Sequence, residues 1–187
     1  MTTRKKFPEF ETERLCVRQL VDSDTEPWFK NLSDKEVADL IGMAPLTEVK
    51  EAKEFIEYFN SAFEKGRSMG WAIALKEDNS FIGTVSYEKI DHENMLAEIG
   101  YDLVKEYWGQ GFMTEALKPI LTYGFEELKL HRIEAHTAAM NGASRRLLER
   151  LGFTKEGQLR ECTYINGAFR DDVHYGMLKK EWELLKK

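Results

Sequence analysis

The chain has 187 residues, 42% of them hydrophobic and 32% charged, with a net charge of −6. That length and apolar content suit a single domain over residues 1–187 with a core of its own. The acidic balance excludes a dedicated nucleic-acid binder, which needs concentrated Lys and Arg, and it is compatible with a cationic substrate.

The opening "MTTRKKFPEFETERL" has no apolar leader core, and no apolar run approaches membrane-spanning length. A cytoplasmic protein with no membrane partner is therefore expected. "RLCVRQL" (14–20) alternates apolar and polar residues as a half-buried strand does. "DSDTEPWFKNLS" (22–33) opens with helix-capping residue types. In "TEVKEAKEFIEYFNSAFEKG" (47–66), Val49, Ala52, Phe55, Ile56, Phe59 and Phe63 recur at helical spacing. Thr47 is the expected cap of that helix and Gly66 its stop. The period then changes. Strands are expected over 71–76 and 81–89 around the turn "EDNS", with a third over 95–104. Residues 112–128 read as a helix in which Pro119 removes a donor and favours a kink. A strand over 131–138, a helix over 142–152 and a strand over 153–165 follow. Asn166-Gly167 is a hairpin turn pair, and 170–182 is the returning strand. This order predicts an α/β protein with a sheet of mixed direction.

The stretch "YWGQGFMTEA" (107–116) lies between an expected strand and an expected helix. Such a strand–glycine turn–helix unit aims backbone N–H groups and a positive helix end at one point, which suits phosphate. Phe112-Met113 after Gly111 excludes the Lys-Ser/Thr pair of a nucleotide-triphosphate loop, and Thr114 stands where a dinucleotide fold has its third glycine. Gly-x-Gly alone also reads as a plain tight turn. The four histidines show no metal-ligand spacing, so no metal is expected. Cys16 and Cys162 read as reduced core or strand residues.

The neighbouring residues add a resemblance. "TERLCVRQLVDSD", "AEIGYDLVKEYWGQGFMTEAL", "HRIEAHTAAMNGASRRLLERLGFTKEG" and "YINGAFRDDVHYGMLKKEW" fall in order between residues 10 and 182. Together they resemble the GNAT superfamily of acetyl-CoA-dependent N-acetyltransferases, and more closely its RimJ/RimL branch of ribosomal-protein N-terminal acetyltransferases. Residues 34–70 match least. The resemblance implies a mixed, mostly antiparallel sheet with a central splayed parallel strand pair, and helices on both faces. It implies that strands 96–103 and 132–138 form the splay. Backbone groups of Ile99 and Tyr101 would then hold the pantetheine arm and thioester of acetyl-CoA. Tyr107, Trp108, Gly109, Gln110, Gly111, Phe112 and Met113 would wrap the pyrophosphate, and Asn141 would hold the pantetheine from the second strand. Trp108 and Phe112 also read as core anchors. There are two departures from the pattern. Glu106 stands where relatives carry Gln or Arg, and is expected to face solvent. Leu148 replaces the tyrosine that many relatives use to protonate the leaving thiolate, and in this branch a serine at the position of Ser144 is the usual candidate.

Amide formation from an amine needs a proton removed, donors for the thioester oxygen, and a proton or hydrogen bond for the thiolate. Glu98 is the candidate base, directly or through one water. Strand alternation places it with Gly100 and Asp102 on one face. Its alternative is a structural pair with Arg132 or Arg170. Ser144 is the candidate thiolate partner, or simply a first-turn residue. Tyr164, Asn166, Arg170 and His174 lie on the hairpin that walls the substrate site in relatives. The expected acceptor is a peptide or protein α-amine. The alternatives are a small-molecule amine (aminoglycoside, polyamine, amino sugar or amino acid) and a non-catalytic acyl-CoA sensor. A homodimer is compatible with the sequence.

Overall fold

The computed structural model describes residues 6–186. A short strand β1 (Phe10–Glu11) turns back into β2 (Leu15–Gln19). Three helices follow, α1 (Thr25–Leu32), α2 (Lys35–Ile41) and α3 (Val49–Glu64). The meander β3 (Met69–Leu75), β4 (Phe81–Asp91) and β5 (Leu96–Leu103) leads into α4 (Phe112–Glu126). The chain closes with β6 (Arg132–Ala138), α5 (Gly142–Leu151), the hairpin β7 (Thr154–Ile165) and β8 (Ala168–Leu178), and α6 (Lys179–Leu185). The eight strands form one sheet in the order β1-β2-β3-β4-β5-β6-β8-β7. Every neighbouring pair is antiparallel except β5–β6.

Apolar residues alternate to the two faces. Trp71, Ile73, Tyr87, Ala97 and Ile99 pack with Ala116, Leu117 and Ile120 of α4 in the larger core. Ala72 faces the other way and joins Trp28, Leu32, Ala52 and Ile56 of α1 and α3 in a smaller one. Tyr87 crosses the larger core to donate its hydroxyl to the Ile120 carbonyl at 2.8 Å. Asn166 and Gly167 both take positive φ, +50° and +81°, as a tight hairpin turn requires. Cys16 and Cys162 are free and lie in β2 and β7, Cys162 exposed.

The structure corrects the sequence reading at three elements. Helix α2 was not expected, although its signals are present. Asp34 caps it by accepting from the Glu36 and Val37 N–H groups, and Gly42 ends it at φ +80°. The closing strand stops at Leu178, not 182. Glu181 reaches back to the Leu178 N–H at 2.9 Å and starts α6, whose Trp182 stacks on Phe125. Thr47 does not cap α3. Helix α3 begins at Val49, and Glu51 takes the N–H groups of Thr47 and Glu48 at 2.7 and 2.8 Å.

Candidate active site

Strands β5 and β6 are bridged at Leu96–Arg132, Ala97–Ile133 and Glu98–Glu134, and no further. Beyond Glu98 the β6-facing edge of β5 is open, while β4 and β8 hold the two strands from outside. Unpaired backbone amides and carbonyls inside a fold need partners, and an extended ligand bearing amides can supply them. Ile99 and Tyr101 stand on this open stretch.

The chain then runs through a short 3₁₀ turn, Lys105–Tyr107, into the glycine segment. Gly109 and Gly111 have φ of +73° and +82°, the left-handed region where a side chain is strained. Gly111 precedes α4 with no side-chain cap, and the first helical bond there joins the Glu115 N–H to the Gly111 carbonyl at 3.0 Å. The amides of Phe112, Met113 and Thr114 are thus left without intrahelical partners at the positive end of a 15-residue helix.

Arg14 pins this turn, and sequence reasoning missed it. Its Nε donates to Glu115 Oε2 at 2.7 Å, its Nη1 donates to the Gln110 carbonyl at 3.2 Å, and its guanidinium lies 4.0 Å over the Phe112 ring. Thr12 adds a 2.6 Å bond to Glu115 Oε1. Burial pushes the Glu115 carboxyl up, but the bonds from Thr12 and Arg14 outweigh it and hold the group below the ordinary carboxylate range. The signal was the Thr-x-Arg of "TERL" together with an acid in the first turn of the later helix. A cleft of about 920 Å³ opens over the turn, and Arg14, Lys118, Arg146 and Arg150 give it cationic walls that suit pyrophosphate. Glu106 is exposed outside that cleft, and its carbonyl accepts from Gln110 Nε2 at 2.6 Å. Phe112 is buried in the core, with Tyr107 edge-on to it. Trp108 is not a core residue. It is 37% exposed, and its indole N–H donates to the Leu103 carbonyl at 2.6 Å, which braces the turn from outside.

A second cleft, of about 770 Å³, lies on the α1–α3 face of the sheet. The two clefts share Leu40, Ile41, Tyr101, Asp102, Asn141 and Ser144, so these residues mark the point where a thioester in one can meet an acceptor in the other. There the Tyr101 hydroxyl and Ser144 Oγ are 2.7 Å apart. Burial pushes the Tyr101 phenol up to about 12, against the opposing effect of its hydrogen bond with Ser144, so the phenol stays protonated. Leu148 is buried in the core and contributes nothing polar. A phenol is nevertheless present beside Ser144, arriving from the strand rather than the helix. Asn141 caps α5 through Oδ1, which accepts from the Ser144 N–H at 3.0 Å. Its Nδ2 donates to the Leu40 carbonyl at 3.0 Å, tying α2 to the junction.

Glu98, Gly100 and Asp102 all face the second cleft, as alternation predicts. Glu98 pairs with neither Arg132 nor Arg170. Arg132 is engaged by Glu134 and Glu156, and Glu98 Oε1 instead lies 3.2 Å from His136 Nδ1. That hydrogen bond lowers the Glu98 carboxyl below its ordinary range and raises the His136 imidazole above its own. Asp102 is fully buried and accepts from Trp28 Nε1 at 3.2 Å, Asn31 Nδ2 at 2.6 Å and the Thr84 hydroxyl. Its desolvation outweighs those bonds and pushes it up to about 6. The walls of the cleft include Trp28, Phe55, Tyr58 and Phe59, and no Lys or Arg is among its lining residues. The closing hairpin does not reach the cleft. Tyr164 is exposed and packs on Phe169, Asn166 bonds Asp39 of α2, and His174 meets the site through its ring contact with His136.

Comparison with known proteins agrees with this geometry. Residues 14–154 match the family model described as an acetyltransferase (GNAT) domain. The chain is 36% identical over 173 residues to the uncharacterized N-acetyltransferase YoaA of Bacillus subtilis (strain 168), covering 92% of this chain and 98% of that one. It is 26% identical over 180 residues to the [ribosomal protein uS5]-alanine N-acetyltransferase of Escherichia coli (strain K12), covering 91% of each. A crystal structure described as a probable acetyltransferase superposes with a TM-score of 0.84 at 30% identity, over 93% of this chain and 98% of that one. An open parallel fork, an uncapped glycine turn with cationic walls and a second cleft meeting the first at a pair of hydroxyls therefore have one family in common, and the chain belongs to the GNAT acetyltransferases as an acetyl-CoA-dependent N-acetyltransferase.

Proposed function

We propose that the acceptor is the α-amine of a peptide or protein, as on a ribosomal protein, and that it reaches the junction through the second cleft. The observation that carries this reading is the cleft itself. It is open, walled by aromatic side chains, supplied with carboxylates and without a lining Lys or Arg. Such a site attracts an ammonium on an apolar stem. The likeness to a ribosomal-protein alanine acetyltransferase supports a peptide as the carrier of that amine.

Acetyl-CoA supplies the acetyl group as a reactive thioester. Ile99 and Tyr101 offer backbone groups to its pantetheine arm, and the Tyr107–Met113 turn offers amides to its pyrophosphate, with Arg14, Lys118, Arg146 and Arg150 around them. Asn141 shapes the junction by fixing the first turn of α5. The Glu98–His136 pair receives the amine proton, directly or through one water. The Tyr101 and Ser144 hydroxyls are 2.7 Å apart; in this reading Tyr101, held protonated, is the donor, which leaves the Ser144 hydroxyl hydrogen for the departing sulfur.

The test is thiol release from acetyl-CoA with N-terminal peptides, polyamines and aminoglycosides as acceptors. Peptides should turn over with the highest kcat/KM. Turnover confined to polyamines or aminoglycosides would overturn the peptide assignment and leave the small-molecule reading.

A further inference from the structure

Strand β4 breaks its register with β5 between Tyr87 and Lys89. Tyr87 pairs with Ile99 and Lys89 with Glu98, so Glu88 is the extra residue of a β-bulge. The buried Ser68 hydroxyl holds the bulge in place by donating to the Glu88 carbonyl at 2.6 Å. The bulge re-aims the side chain, and Glu88 joins the lining of the acceptor cleft next to Glu98. Its carboxylate lies over Gly100: a Cβ at that position would stand 2.1 Å from Glu88 Oε1, 2.8 Å from Glu88 Cδ and 3.2 Å from Ser86 Oγ. Gly100 is thus the floor on which the carboxylate rests, two residues from Glu98 and one from Ile99.

No described residue forms an ion pair or a side-chain hydrogen bond with this carboxylate. The contrast with its neighbours is informative. Glu98 has His136, and Asp102 has Trp28, Asn31 and Thr84. Glu88 and Lys89 are both exposed, but Glu88 opens onto the cleft, whereas Lys89, across the ladder from Glu98, does not line it. Crowding by the protein and then the charge of Glu98 raise the Glu88 carboxyl above its ordinary range, with His136 opposing. Of the four carboxylates lining the cleft, Glu54 meets Lys50, Glu98 meets His136 and Asp102 meets Trp28, Asn31 and Thr84, which leaves Glu88 without a partner among the described residues.

We propose that Glu88 is the counterion of the acceptor ammonium and the residue that selects acceptors with no anionic group beside the amine. This rests on the acceptor occupying the second cleft, whether it is a peptide or a small amine. Glu98 already has a protein partner in His136 Nδ1, so Glu88 is the cleft carboxylate left to meet the incoming ammonium. A carboxylate next to the amine, as in a free amino acid, would be set against Glu88 and Glu98 with no Lys or Arg in the lining to meet it.

The test uses whichever amine the acceptor screen returns, so a wrong guess about peptides does not decide it. Glu88→Gln keeps the shape and removes the charge. It should raise the KM for the acceptor at least tenfold, leave the KM for acetyl-CoA unchanged and keep kcat within about threefold, with Glu88→Asp falling between. Gly100→Ala keeps Glu88 but lifts its flexible end off the floor, and should reproduce the acceptor defect in a protein with a wild-type melting temperature. Alanine amide and free alanine, used as competitors of the acceptor, should differ strongly in the wild type and much less in Glu88→Gln. An unchanged acceptor KM in Glu88→Gln, or equal inhibition by the amide and the acid in the wild type, would overturn the proposal.

Discussion

Ser144 and Tyr101 form a line of two hydroxyls at the meeting of the clefts, and the two residues have different tasks. On the proposed reaction, Tyr101, with its phenol held at about 12, orients Ser144 rather than giving up its own proton. Ser144→Ala should lower kcat by about one to two orders of magnitude while calorimetry finds nearly unchanged acetyl-CoA affinity, and Tyr101→Phe should cost less. On the proposed reaction, Glu98 acts through its pair with His136. The working form of that pair has an ionised carboxylate and a neutral imidazole, so activity is present above the raised His136 value and is lost as pH falls through it. Glu98→Gln should cut kcat by roughly 10²-fold. It also removes the cause of the His136 shift, so the acidic limb of the pH–rate profile should move to lower pH. A wild-type rate with an unmoved limb would remove Glu98 from the reaction. The positions of Glu98 and the glycine turn at the clefts were legible because a carboxylate in a central strand and paired glycines before a helix are unusual, and Ser144 followed from the resemblance. His136, Arg14 and Glu88 were not legible. Their places depend on contacts across 38 to 101 positions of sequence and on a bulge that strict alternation does not anticipate.

At the scale of elements, the turn and α4 act as a unit because Arg14 and Thr12 fasten Glu115 to the edge of β2. The requirement for glycine at 111 is conformational before it is spatial. The space around a Cβ there is open, with Arg14 Nη2 at 3.6 Å, but φ is +82°. Gly111→Val strains the turn and withdraws its amides from the phosphate position. Calorimetry should show acetyl-CoA binding weakened at least ~10-fold, about 1.4 kcal/mol, in a protein that still folds. Unchanged affinity in that variant would show that the pyrophosphate lies elsewhere. The long elements were legible because their periodicity is sustained over many residues. Helix α2 and helix α6, seven residues each, were not, because so few turns carry too little pattern to outweigh the neighbouring segments.

For the whole molecule, Asp102 is the buried joint between the sheet and α1, since Trp28 and Asn31 reach it from that helix. Its folded value of about 6 lies above the ordinary carboxylate value of 3.8. Below about pH 4 it is protonated in both folded and unfolded chains and costs nothing. Between about pH 4 and 6 the unfolded chain releases the proton while the folded one keeps it, so stability falls as pH rises, by on the order of 3 kcal/mol at most. Above that window the contribution is level. Denaturant unfolding of wild type and Asp102→Asn at pH 4 and 7 should show the wild type losing ground relative to the variant at the higher pH. An equal difference at both would mean that Asp102 titrates as an ordinary carboxylate. The fork between β5 and β6 has a further consequence. Three bridges join the β1–β5 half of the sheet to the β6–β8 half, and beyond them each half presents a raw edge to the other. Most proteins hide such an edge at the margin of a sheet, whereas here it runs through the middle. If the pantetheine arm lies there, acetyl-CoA completes the ladder and becomes part of the folding energetics as well as the chemistry. At a hundredfold excess over its dissociation constant it would add about 2.7 kcal/mol to the folded state. Amide hydrogen exchange would slow along Ile99 to Leu103 when CoA is added and hardly change in β1, so the cell's supply of acetyl donor would also set how tightly this protein is zipped shut.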